Sequence, residues 1–322
     1  MDKSVNGRTM SRETKSMQEL GRVGVIMGGT AAEREVSLKS GRAVLAALLE
    51  LGVDAVGIDA ADDLLGQLQR LQVDRVFNVL HGRGGEDGQL QGLLAFMGIP
   101  CTGSGVLASA LAMDKVRTKY LWQRLGLSTP DFRMLSATSD WASVIAALGR
   151  AVVKPVREGS SIGMSIVDTA QELQEAWQRA AAFDSEVMAE RYIKGSEYTV
   201  AVLDGEVLPA IELRTTHTFY DYDAKYIASD TQYLCPAPLN AEDTAALQTL
   251  CLEAFNALGC EGWGRVDVMR DAQGQFWLLE VNTVPGMTDH SLVPMAAAAS
   301  GLDFGQLLLQ VLAARTTQSA TH

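Results

Sequence analysis

The segment 264–282, GRVDVMRDAQGQFWLLEVN, constrains the fold more than any other part of the chain. Both arms alternate, and both are rich in Val, Leu, Phe and Trp, the pattern of a half-buried antiparallel hairpin. The turn falls within 271–274. With Gln273-Gly274 as a two-residue loop, Ala272 pairs with Gln275. Counting outward then sets Asp267 opposite Glu280 and Arg265 opposite Asn282. Period-two alternation puts all four on one face. Two directly opposed carboxylates repel each other, and an oxygen-preferring cation relieves that repulsion. Asp, Glu and Asn are hard ligands, suited to Mg²⁺ shared with substrate phosphates rather than to zinc. A solvated polar face is the alternative, and a bulged turn would shift the register by one residue.

Upstream, short apolar runs alternate with helical patterns. VGVIM begins at Val23, Gly28-Gly29 turns the chain, and a helix is expected over 33–51. Buried strands follow at 53–58 and from Val76. This order argues for a parallel sheet covered by helices, whose ligands sit at the C-terminal strand ends. The stretch GIPCTGS reads as a strand and turn, and one helix is expected over roughly 105–125. After Pro130 the pattern becomes α+β, with AVVKP, EVMAERYI, YTVAVLDG and VLPAIEL as strands. Asn240 caps a helix that Gly259 ends.

Four polar segments break this order. HGRGGEDG (81–88) combines four glycines with His81, Arg83, Glu86 and Asp87, so a backbone can approach a ligand closely there. Lys154 ends an apolar strand and is followed by REGSSIGMS, which suits a loop closing over phosphates. It is not a P-loop, because G-x-x-x-x-G-K-[ST] is absent. FYDYDAKY (219–226) reads as an ordered lid carrying Lys225 and Tyr226. In VPGMTDHSLVP, backbone N–H groups near Gly286 and before the helix at Ser291 could hold a carboxylate or an oxyanion.

Composition closes off other classes. The chain has 322 residues and a formal net charge of −12, with no long basic run, so a nucleic-acid footprint is not expected. No apolar run is long enough to span a bilayer. Residues 1–22 are polar and lack the apolar region of a signal peptide, which favours a disordered extension and a cytoplasmic protein. The four cysteines form no C-x-x-C pair and read as buried thiols.

Taken in order, GGTAAEREVS, HGRGGEDG, MDK, VKPVREGSSIGM, FYDYDAKY, GRVDVM and EVNTVPGMTDHSLVP resemble D-alanine–D-alanine ligases of the ATP-grasp superfamily. The similarity covers about 22–314. It implies an ATP-grasp fold: an N-terminal parallel-sheet α/β domain (22–114) and two α+β subdomains (115–205 and 206–315) sandwiching ATP. Residues 1–21 and 316–322 form an extension and a tail. The resemblance further implies ligation of two D-alanines through an acyl phosphate, for peptidoglycan precursors, in the cytoplasm and by a homodimer. ATP contacts would fall on Lys115, Lys154, Glu190, Ile193, Glu197 and Lys225. Two Mg²⁺ ions, with Mn²⁺ able to substitute, would fall on Asp267, Glu280 and Asn282. Glu33 would hold the first substrate's ammonium group, and His81 would lie near its carboxylate. Arg265 and the Gly286 N–H would stabilise the oxyanion, and Ser291 and Leu292 would bind the second carboxylate. Glu33, Ser160 and Tyr226 would form a hydrogen-bonded set closing the lid.

Overall fold

A computed structural model describes residues 20–214, 231–288 and 290–314. The expected extension up to residue 19, the segment with Lys225 and Tyr226, and the tail lie outside the described residues.

The N-terminal unit is a parallel sheet of β1 (Val23–Met27), β2 (Ala55–Asp59) and β3 (Arg75–Asn78), in the order β2-β1-β3. All five residues of β1 are buried, as a central parallel strand covered on both faces requires. Helices α1 (Arg34–Glu50), α2 (Leu64–Leu71) and α3 (Gln89–Met97) connect and cover it. The expected strand at GIPCTGS reduces to a single parallel bridge, Val76 to Cys101.

The expected helix over 105–125 is two helices, α4 (Val106–Met113) and α5 (Lys115–Arg124). Asp114 breaks them with an extended backbone, and its carboxylate accepts the Arg117 N–H at 2.9 Å as the N-cap of α5. Such a cap stabilises by about 1 kcal/mol. It also puts Lys115 in the first turn of a new helix.

A second, mixed unit holds a four-stranded antiparallel sheet in the order β4-β7-β5-β6: β4 (Phe132–Leu135), β5 (Ala151–Pro155), β6 (Ser165–Val167) and β7 (Val187–Arg191). Helices α6 (Trp141–Leu148) and α7 (Ala170–Ala180) cover one face, and their Leu148, Leu173, Ala176 and Ala180 close its core.

The third sheet contains β8 (Gly195–Leu203), β9 (Glu206–Val207), β10 (Ile211–Arg214), β11 (Gln232–Leu234), β12 (Trp263–Asp271) and β13 (Phe276–Asn282), with path β11-β10-β8-β12-β13. The strand β8 pairs with β10 and β12 and so belongs to the third sheet. One face of this sheet packs Val200, Val202, Val266, Val268 and Leu278 against α8 (Ala241–Ala257). The other face is divided. Near Leu203, Ile211 and Trp263 it packs on the N-terminal unit and on α9 (Leu292–Ala299) and α10 (Phe304–Ala313). Near Asp267 and Met269 it faces a cavity.

The hairpin β12–β13 pairs Asp267 with Glu280 and Arg265 with Asn282, as counted from sequence, but by a different route. Its loop is Ala272-Gln273-Gly274, closed by the Asp271 N–H donating to Gln275 O at 3.0 Å. Gly274 takes φ +86°, the left-handed position that closes a three-residue hairpin loop. That loop alone would offset the register by one. A bulge between the Asp267 and Val268 pairings, where Leu279 is the extra residue, restores it.

No single helix among the described residues is long and apolar enough to cross a membrane. Cys101, Cys251 and Cys260 are buried free thiols, and burial pushes each of them up.

Candidate active site

The cavity lies between the four-stranded sheet and the divided face of the third sheet and has a volume of about 390 Å³. Lys115, Lys154, Ser160, Glu190, Ile193, Glu197, Asp267 and Glu280 all line it. Eight of the residues singled out from sequence thus meet in one space. They come from α5, β5, β7, β12, β13, the loop after β5, and the β7–β8 region.

One wall carries hard oxygen atoms. Pairing across β8, β12 and β13 sets Thr199, Asp267 and Glu280 in a row. Asp267 is 7% exposed. The Thr199 hydroxyl donates to its Oδ1 at 2.6 Å, and the Asn282 amide donates to Oδ2 at 2.9 Å. Arg265 donates to both oxygens, at 2.9 and 2.8 Å. The bulge turns Leu279 toward the cavity beside Glu280, so β13 presents an apolar and an acidic side chain together.

The facing wall carries ammonium groups. Lys115 donates to Glu158 O at 2.8 Å and lies 3.3 Å from Glu280 Oε2. Lys154 pairs with Glu190 Oε1, and Lys119 lies 2.8 Å from Glu190 Oε2. Both oxygens of Glu190 are therefore held by lysines. Burial pushes the Glu190 carboxyl up, but Lys119 and Lys154 outweigh it and hold the group below the usual carboxylate range. Burial, with the neighbouring Lys154 cation, pushes Lys119 down to about 8 against the pull of Glu190.

The N-terminal unit reaches the cavity rim through Glu33. The Ser160 hydroxyl donates to Glu33 Oε1 at 2.7 Å. Ser160 and Ser161 both take left-handed backbone, φ +51° and +60°, a strain that clusters at functional rims. A methyl group added at Gly159 or Gly82 would meet the Glu33 carboxylate at 2.6 or 2.4 Å, and Gly82 also takes φ +71°, which favours glycine. Burial and then Glu86 raise the Glu33 carboxyl, against the pull of Ser160 and His81. Arg83 bridges the same two units by donating to Glu158 Oε1 at 2.9 Å.

His81 lies behind Glu33 and is 5% exposed. Its Nδ1 is 2.9 Å from Val284 O. A carbonyl only accepts, so Nδ1 donates to it. Ser40 Oγ lies 3.3 Å from Nε2 and accepts the Met287 N–H at 3.2 Å. One buried hydroxyl thus fixes His81 and the turn containing Gly286. Ser291 Oγ accepts the Thr288 N–H at 2.9 Å, and Leu292 buries its side chain at the start of α9.

Comparison with known proteins agrees with this architecture. The family model for the D-ala D-ala ligase N-terminus matches residues 61–104, and that for the D-ala D-ala ligase C-terminus matches 121–313. A D-alanine–D-alanine ligase of Stutzerimonas stutzeri (strain A1501) is 62% identical over 302 residues, 94% of this chain and 96% of that protein. The chain belongs to the D-alanine–D-alanine ligase family. The D-alanine–D-alanine ligase of Bacillus anthracis superposes with a TM-score of 0.81 at 36% identity, over 91% of this chain and 96% of that one. The structure of that ligase complexed with ATP gives a TM-score of 0.80 at 34% identity, over 91% and 96%. The ATP-grasp architecture expected from the motifs agrees with these ligases.

Within this family member, Lys225 and Tyr226 lie outside the described residues, so the Glu33–Ser160 pair is the part of the expected trio on view. Sequence reading passed over Lys119, Thr199, Leu279 and Ser40. Lys119 had a signal: Val116, Lys119 and Trp122 fall at helical spacing on the buried stripe of α5. Leu279 had none, because a bulge is invisible to alternation.

Proposed function

We infer that this chain joins two D-alanines into D-alanyl-D-alanine, converting ATP to ADP and phosphate, to supply peptidoglycan precursors in the cytoplasm. The observation that carries this reading is one cavity with opposed walls: Asp267 and Glu280 on one side, Lys115 and Lys154 on the other. A polyphosphate needs both, cations for its charge and hard anions for its metal.

ATP occupies the space between the sheets. Lys115 and Lys154 face its phosphates, and Glu190, Ile193, Glu197 and Lys225 surround the rest of the nucleotide. Asp267, Glu280 and Asn282 suit two Mg²⁺ ions, or Mn²⁺ in their place. Those three residues would hold the metal through carboxylate and amide oxygens, hard donors that suit it. When bound, the metal ions neutralise charge on the phosphates.

Glu33 accepts the ammonium group of the first D-alanine, and His81 orients its carboxylate. That carboxylate attacks the γ-phosphate, giving an acyl phosphate and ADP. The amine of the second D-alanine, whose carboxylate rests on Ser291 and the N–H groups at the start of α9, attacks the acyl carbon. Arg265 and the Gly286 N–H stabilise the oxyanion, and collapse expels phosphate. The Glu33–Ser160 contact, with Tyr226 as third member, closes the site and keeps water from the acyl phosphate.

The chain is further read as a homodimer. Phe96 (94% exposed), Leu107 (72%) and Val106 (45%) form an apolar face where α3 meets α4, and such patches mark interfaces.

Coupled ADP release with D-alanine, L-alanine and D-lactate tests the function. Turnover is expected with D-alanine alone. Preference for D-lactate as acceptor overturns the dipeptide assignment, and ATP binding without D-alanine-dependent ADP release overturns ligation itself.

A further inference from the structure

Lys119 is an ammonium group with no access to solvent or ligand. Its side chain is 0% exposed, 2.8 Å from Glu190 Oε2. It also donates to Thr129 Oγ1 at 2.5 Å, and the Thr129 hydroxyl donates to Leu278 O at 2.8 Å. On the cavity side, Lys154 takes the other oxygen of Glu190. One carboxylate therefore stands between two cations, and only one of those cations faces the cavity.

A buried ion pair contributes little net stability against an apolar replacement, so stability alone does not account for a full charge behind this wall. Charge counting does. With Lys119 absent, Glu190 and Lys154 cancel, and this pair adds no net charge to the wall where polyphosphate lies. With Lys119 present, Glu190 is already compensated from behind, and the trio presents a net positive charge through Lys154. The same ammonium, through Thr129, ties this trio to β13 at Leu278, next to Leu279 and Glu280.

We propose that Lys119 is a positioning residue for the nucleotide: it compensates Glu190 from behind, leaves the Lys154 charge to the polyphosphate, and registers that charge against the Glu280 end of β13. This rests on the assignment of the cavity to ATP.

The test uses the full chain and ATP binding measured without D-alanine, alongside steady-state kinetics. Lys119→Met is expected to weaken ATP binding by about tenfold or more, a 1.4 kcal/mol effect, with the KM for D-alanine unchanged. The double variant Lys119→Met/Glu190→Gln removes one charge of each sign and is expected to bind ATP within about threefold of Glu190→Gln alone, because Lys119 acts through Glu190. Wild-type affinity in Lys119→Met overturns the proposal. So does a further loss of about tenfold in the double variant relative to Glu190→Gln, or equal losses in both substrates, which mark a merely structural residue. If Lys119→Met does not fold, the comparison of the double variant with Glu190→Gln decides by the same threshold. Lys154→Met separates the underlying assignment: unimpaired ATP binding there removes ATP from the cavity altogether.

Discussion

The Ser160 hydroxyl donates to Glu33 Oε1 at 2.7 Å across 127 residues of sequence, joining the loop after β5 to the N-terminal unit. That contact sets a carboxylate at 7% exposure beside two glycines that leave it room. Its charge is therefore carried at a cost that a ligand's ammonium group would remove.

The cost has a sign. Burial and Glu86 raise the Glu33 carboxyl in the folded state, so the native protein binds more protons than the unfolded chain between the two pKa values. Stability falls as pH rises through that interval and stays lower above it. Ligand-free Glu33→Gln is expected to melt higher than wild type at neutral pH, with the gap closing below the ordinary carboxylate range. The KM for the first D-alanine should rise by about tenfold or more, as for loss of a charged hydrogen bond. Calorimetry across pH with initial-rate kinetics checks both; identical melting at every pH sinks the account.

Leu279 is the bulge residue and lines the cavity without joining a core cluster. Leu279→Ala should raise the KM for ATP by about tenfold, the effect of uncovering part of a leucine side chain, with little change in Tm. A Tm drop without a KM change would reassign Leu279 to packing.

Ser40 is wholly buried and links His81 Nε2 to the Met287 N–H. Ser40→Ala leaves the imidazole Nε2 without its hydroxyl partner, so the KM for D-alanine should rise about fivefold, the effect of one lost hydrogen bond. ATP binding should stay as in wild type. An equal loss for both ligands would argue that the hydroxyl only stabilises the fold.

The apolar face at Phe96 and Leu107 predicts an assembly. On the proposed homodimer, wild type is expected to sediment as a dimer and Phe96→Glu/Leu107→Glu as a monomer, with unchanged circular dichroism. A dimeric double variant would move the interface elsewhere.

Much of the candidate site was legible in the chain itself. Alternation in 264–282 set Asp267 against Glu280, and a lysine at the end of an apolar strand marked Lys154. The pairing was reached through a two-residue loop, whereas the protein uses a three-residue loop and a compensating bulge at Leu279. Local alternation reports which face a residue takes, and two opposite one-residue shifts leave that face unchanged.

What the sequence determined alone was local: strand and helix periods, the glycine loops, and the residue types that suit nucleotide and metal. Tertiary structure decided which distant groups meet. The Glu33–Ser160 contact, the break at Asp114 that aims Lys115, the transfer of β8 to the third sheet, and the burial of Lys119 behind Glu190 all depend on packing between units. Period and propensity act within a few residues, while burial and charge compensation are set by whatever the folded chain brings alongside. The Lys119 charge has meaning only once Glu190 and Lys154 stand on the same wall.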